Sequence, residues 1–248
     1  MEVLLPSSAQ AIIILGPTPH SIVDRYDWGK LGPNGTPINN PFQINFDNGN
    51  FATISQTQPN QNFTIVQQSP VPVPLANTIA YLAPPVWDGN FSPWTNPLYS
   101  AHLLYNNGGG AITIDFNQPI FGASTQIQRN LYGNFTANVQ AFDLAGNLLG
   151  NSDVAGLSNG NANGSAIWIS VHNNANNAPN ISRLVYSTND NDNDSTNDND
   201  FAIATPVPLE INALPVAAST ILFGLGMWLK RKYQENKYSQ DFNKEQVN

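Results

Sequence analysis

The chain of 248 residues has no cysteine, nine Lys and Arg, three His and two Met, and only 10% of it is charged, against about 25% in ordinary soluble domains. Each shortage excludes a class of protein. Without thiols there is no disulfide framework and no Cys-ligated zinc site. Nine basic residues cannot build a phosphate-neutralising surface, so nucleic acid is excluded as a partner. His20, His102 and His172 are far apart and form no His-Glu-x-x-His spacing, and no Gly-x-Ser-x-Gly elbow occurs. Gly108-Gly109-Gly110 lacks the Lys and Ser or Thr of a phosphate loop and reads as a turn. The one route left to hydrolysis is a carboxylate pair drawn from Asp88, Asp115, Asp143 and Asp153. Helix is scarce as well, since no stretch before residue 211 sustains a helical period.

What remains is 41% hydrophobic and 10% aromatic, enough to bury a core. Ile112, Ile114 and Phe116 alternate with Thr113 and Asp115, the period of a half-buried strand. The same period recurs at Ala123-Thr125-Ile127, Phe135-Ala137-Val139-Ala141 and Ile167-Ile169-Val171, with shorter strands expected at 42–46 and 63–66. Gly and Asn clusters at 108–110, 145–147, 159–160 and 163–164 supply the turns. The prolines at 70–74 and 84–85 suit edge strands or extended loops, because proline donates nothing to a ladder. The expected fold is mainly β: an antiparallel, jelly-roll-like β-sandwich over 12–205.

Charge is distributed unevenly. Four basic residues, Arg25, Lys30, Arg129 and Arg183, stand against fourteen acidic ones before residue 230, a net of -10; from there on five stand against three, a net of +2. Between the two lies an uncharged run. Ile211–Leu229 is nineteen residues without a charge, roughly 28 Å as a helix at about 1.5 Å per residue and close to the ~30 Å of a bilayer core. Trp228 sits at its edge and Lys230-Arg231-Lys232 follow at once, so a transmembrane helix with a cytoplasmic tail is expected over a buried core helix. Pro206-Val207-Pro208-Leu209-Glu210, the apolar helix with Gly224 and Gly226, and Lys230-Arg231-Lys232 together resemble the tripartite PEP-CTERM sorting signal, with Pro208-Leu209-Glu210 in place of Pro-Glu-Pro. The resemblance covers 206–233 and leaves 234–248 as a cytoplasmic tail. It implies an exosortase-type sorting enzyme as partner, a transient stay in the inner membrane, and delivery of the body to the cell surface or beyond.

Export calls for a leader. Ala9-Gln10-Ala11 has the small-x-small cleavage pattern, but Met1–Pro6 lacks a basic region and enough apolar residues. Two readings follow: residues 1–11 are the remnant of a signal whose start lies upstream, or Ile12–Leu15 is the first strand of the body.

Three features could carry contacts. Val139–Gly150, a strand ending in Phe142-Asp143, a turn at Ala145-Gly146-Asn147 and a return through Leu149-Gly150, resembles galactose-binding-like jelly-roll modules, loosely from 111 to 203. Trp87, Asp88 and Trp94, with Tyr99, lie in one loop-like stretch where exposed rings and acidic groups would bind sugar; the alternative is that the rings plug one end of the sandwich. Asp190, Asp192 and Asp194 open an alternating Asn-Asp run that offers oxygen ligands to calcium, although Ser195 and Phe201 break the EF-hand pattern; otherwise the run is a solvated polar loop. No other cofactor is expected. The functional expectation is an exported bacterial surface or matrix protein with adhesive or carbohydrate contacts, exopolysaccharide being a candidate partner, and no catalysis; the alternatives are a secreted glycan hydrolase and a structural matrix protein without a ligand.

Overall fold

Period-two alternation and frequent Gly and Asn turns make the described residues mainly antiparallel strand. The computed structural model describes residues 11–15, 26–46, 49–69, 79–82, 86–91, 102–173, 179–190, 199–204 and 207–209, all within the unit Met1–Glu210. In chain order the strands are β1 (Ala11–Leu15), β2 (Pro37–Ile38), β3 (Phe42–Asn45), β4 (Phe51–Gln56), β5 (Phe63–Gln67), β6 (Tyr81–Leu82), β7 (Val86–Trp87) and β8 (His102–Tyr105). They continue with β9 (Ile112–Ile120), β10 (Gly122–Arg129), β11 (Gly133–Phe142), β12 (Leu148–Ser158), β13 (Ile167–Asn173), β14 (Ile181–Asp190), β15 (Phe201–Ile203) and β16 (Val207–Leu209). Among the described residues one 3-10 turn, Trp28–Leu31, is capped by Asp27, whose carboxylate accepts from the Gly29 N–H at 2.8 Å.

Two sheets carry the fold. The first has the order β1-β13-β10-β15-β8-β5-β2, with β16 also on β10; the second has the order β12-β11-β14-β9-β4-β3; β6 and β7 form a small hairpin. All these pairings are antiparallel. From β9 onward the chain keeps exchanging sheets, so both contribute to one core. Ile54, Ile114, Phe135, Val139 and Tyr186 of the second sheet join Phe63, Ile65, Leu104, Ile127, Ile169 and Phe201 of the first in a continuous buried cluster. The expected strands at 112–116, 123–127, 135–141 and 167–171 are all present, with their apolar positions turned to this core. Pro37 lies on an edge strand, where a missing donor costs nothing.

Two boundaries differ from expectation. The sheet runs past residue 205: β15 covers only Ile127–Arg129 of β10, and Val207–Leu209 pairs with the vacant Gly122–Ser124. The Ala204 N–H donates to the Gln126 carbonyl at 3.0 Å and bridges the two segments. The driving force is pairing of backbone groups that would otherwise stay open beside β10. At the other end, Ala11–Leu15 is an edge strand on β13, so the sheet begins one residue before the expected start of the body at 12. Among the described residues no helix is long and apolar enough to cross a membrane. The expected helix at 211–229, Glu210 and Lys230-Arg231-Lys232 all lie outside the described residues.

β10 departs from simple alternation. Its inner face carries Ala123 and Ile127, yet Ser124, Gln126 and Gln128 on the opposite face are buried too. A second cluster explains this. Val66, Leu103, Tyr105 and Ala202 alternate with the core residues Ile65, Leu104 and Phe201, so they face away from the core, where they pack with Ala80, Trp87 and Phe91.

Candidate functional site

Trp87 and Phe91 of the aromatic stretch belong to this second cluster, so at Trp87 and Asp88 the reading as a plug replaces that as an exposed sugar platform. Trp87 and Asp88 are both 0% exposed. The Trp87 ring lies 5.4 Å from Tyr105 and 6.3 Å from Phe91, and its indole N–H donates to Gln128 Oε1 at 2.9 Å. That oxygen also accepts from the Asn90 N–H at 3.0 Å, while Gln128 Nε2 donates to Ser158 Oγ at 2.8 Å. Asp88 Oδ2 accepts from the Tyr132 hydroxyl at 3.0 Å, and burial, with that bond second, raises the Tyr132 pKa far above its usual range. A large ring buried among hydrogen-bonded amides is a plug, not a stacking surface. Trp94 and Tyr99 lie outside the described residues.

The outer face of the second sheet holds a different arrangement. Asp115 on β9 and Arg183 on β14 are cross-strand partners, and Arg183 Nε donates to Asp115 Oδ1 at 2.6 Å with both side chains partly exposed. Next to them the ladder breaks: the two steps from Arg183 to Ile181 on β14 are matched by five from Asp115 to Ile120 on β9. Pro119 contributes to the break because it has no N–H to donate. Asn117, within the bulge, turns its carboxamide oxygen to the Phe51 N–H at 2.8 Å. Such bulges splay strands and re-aim side chains.

A cleft of about 290 Å³ opens at the break. Phe116 and Asp115 line it from β9, Ser182 and Arg183 from β14, and Phe142 with the turn after β11 close it. That turn is rigid. The Asp143 carboxylate accepts from the Asn147 N–H at 2.8 Å and from Asn147 Nδ2 at 2.9 Å, and Gly146 takes the positive φ of 84° that the reversal needs. The side-chain bond from Asn147, then its backbone bond, hold the Asp143 pKa below its usual value. Leu144 projects from the tip at 81% exposure. Ser182 is 6% exposed, and its Oγ has no hydrogen-bond partner among the described residues.

Of the four carboxylates considered from sequence, the fold brings Asp115 and Asp143 to one cleft. Asp88 is buried on the far side of the first sheet, and Asp153 accepts from Asn138 Nδ2 at 2.7 Å on the β11–β12 face. Arg183 and Ser182 were not among the residues singled out. Arg183 was visible as one of four basic residues in the body, but no strand was expected around it. Of the acidic run, Asp190 ends β14, while Asp192 and Asp194 lie outside the described residues. Among the described residues no group of three His, Asp or Glu could hold a metal ion. Pro208 and Leu209 form part of β16 opposite Ala123 and Gly122.

No protein-family model matches the chain, and no curated protein does. Among solved structures, the crystal structure of a DUF4465 family protein from Bacteroides caccae ATCC 43185 aligns with 75% of this chain and 98% of its own, at 10% identity and a TM-score of 0.43. A likeness at that level transfers no function.

Proposed function

We propose that the chain is an exported bacterial surface or extracellular-matrix protein with a jelly-roll-like body that makes adhesive or carbohydrate contacts, and a PEP-CTERM-type signal read by an exosortase-type enzyme. The observation that carries this reading is the order Pro208-Leu209-Glu210, nineteen uncharged residues, then Lys230-Arg231-Lys232, coinciding with the step from a net -10 to a net +2. Repeated exchange of successive strands between two sheets supports the jelly-roll description of the body. Since Val207–Leu209 pairs with β10, processing at the motif requires β16 to peel away or to be read before the sheet closes. Expression of the full chain behind an export signal, in cells with and without the sorting enzyme, tests the proposal. A membrane-held precursor without the enzyme and a shortened surface form with it are expected; identical size and location in both cells would overturn it.

Glycan hydrolysis is the second reading, favoured by Asp115 and Asp143 on one cleft. A glycosidase needs one carboxyl whose pKa is raised so that it can act as acid. Asp143 is shifted the other way, which suits the ionised member of such a pair and not its acid, and the sorting-signal order keeps the adhesive reading first. Release of reducing ends that disappears in Asp115→Asn would reverse that preference.

A further inference from the structure

We propose that the cleft between β9, β14 and the β11–β12 turn binds a single pyranose ring of a neutral or amino-bearing glycan, through a pair of adjacent hydroxyls. This rests on the reading that the body makes carbohydrate contacts, and it names the place and the class of sugar.

The polar groups suit a diol. Arg183 spends its Nε–H on Asp115 Oδ1, which leaves its terminal N–H donors and Asp115 Oδ2 without partners among the described residues. Adjacent hydroxyls each donate and accept, so one can give to the carboxylate while its neighbour accepts from the guanidinium. Both protein groups are charged, which strengthens each bond. Ser182 Oγ, buried and unpartnered in the same cleft, adds a third polar group. The apolar component comes from Phe142 and from Leu144, whose exposure at the tip has no packing explanation within the described residues. A few convergent polar groups beside apolar walls is the usual composition of a small-molecule site.

Charge and size narrow the ligand. Asp115 and Asp143 against Arg183 leave one excess negative charge, which repels uronic acids and other anions. A bare divalent cation is disfavoured, because it needs six to eight oxygens and would meet the Arg183 guanidinium already paired with Asp115. The volume of about 290 Å³ lies at the lower end of the range for ligand pockets, roughly 300 Å³ upward, and suits one ring with the chain continuing outward. The turn is held by Asp143 and Asn147 before any ligand arrives, so little ordering opposes binding.

Calorimetric titration of the full-length chain with oligosaccharides of glucose, galactose, glucosamine and galacturonic acid tests this. A neutral or amino oligosaccharide should bind and the galacturonic acid series should bind weakest. Asp115→Asn and Arg183→Ala should each weaken binding at least tenfold, and Leu144→Ser several-fold, with the thermal midpoint nearly unchanged; Leu157→Ser, exposed on β12 and not lining the cleft, serves as control. Preference for galacturonic acid, or undiminished affinity in the Asp115→Asn/Arg183→Ala double variant, would overturn the site and leave carbohydrate contact elsewhere on the body intact. No heat with any of the four series would remove both.

Discussion

The outer faces of the two sheets are built from similar strands and end up in opposite states. On the first sheet, Ser124, Gln126 and Gln128 of β10 are as buried as the core side chains beside them, because residues 79–82, 86–91 and 158–166 lie over that face. Their amides meet partners on the covering segments: Gln126 Nε2 donates to the Ala166 carbonyl at 2.9 Å, and Gln128 Nε2 to Ser158 Oγ at 2.8 Å. On the second sheet β11 keeps strict alternation, buried and part-exposed in turn, and β9 does so as far as its bulge. Glutamine on a strand is therefore ambiguous. It faces solvent unless another segment brings carbonyls and N–H groups to meet it, and then it fixes that segment in place. A ligand arriving from solvent meets the second sheet, not the first.

Substitutions on the covered face should act on stability. The largest effect is expected from Trp87→Ala, which empties a fully buried indole site and should cost about 3–5 kcal/mol, read by urea denaturation. If the folding free energy held and only sugar binding fell, Trp87 would be a ligand platform and the contrast between the faces would collapse. Gln128→Leu comes next. It leaves the Trp87 and Asn90 N–H groups without their acceptor and should cost roughly 1–3 kcal/mol for each orphaned group. Gly89→Ala belongs with it, since a Cβ there would overlap the Gln128 amide and the Trp87 indole.

Alkaline pH offers a milder perturbation of the same face. Burial, with Asp200 second, pushes the Tyr105 pKa far above 10.0, and burial alone raises Tyr186 in the core. A group whose folded pKa is raised contributes stability that is complete below its unfolded value and lost as pH climbs above it. Unfolding free energy should therefore fall above about pH 10, with tyrosinate absorbance appearing in steps, exposed rings first. Absorbance rising in one step near pH 10 with no loss of stability would contradict the burial of these rings.

The open face should respond least. Arg183→Ala breaks a partly exposed ion pair and should change stability by only ~0–1 kcal/mol, while weakening sugar binding at least tenfold. Asp143 has a lowered pKa, so its contribution is present above the ordinary carboxylate value of 3.8 and is lost as pH falls below it. The expected sign is a slightly less stable β11–β12 turn in acid, detectable as faster amide exchange at Asn147.

Much of the fold was legible because it depends on local pattern. Ile112-Thr113-Ile114-Asp115-Phe116 declares a strand and its inward face, and Ala145-Gly146-Asn147 declares the turn that follows β11. The site was less legible. Asp115 and Asp143 were visible as carboxylates, but sequence distance says nothing of two strands meeting across a sheet, and the bulge at Pro119 appears only once β9 is laid against β14. Trp87 and Asp88 left two readings open for the same reason. An aromatic beside an acid reads alike in an open loop and in a segment folded over a sheet.

The sequence by itself determined the β class, the inward positions of the principal strands and the charge step at residue 230, because side-chain alternation and net charge are properties of local order. Only the tertiary structure decided which outer face is covered, that Val207–Leu209 completes the sheet beside β10, and that Asp115, Asp143, Arg183 and Ser182 share one cleft. Those outcomes rest on contacts between segments far apart in the chain, where the satisfaction of buried amides and the fit of one strand to another select among arrangements that local pattern leaves equal.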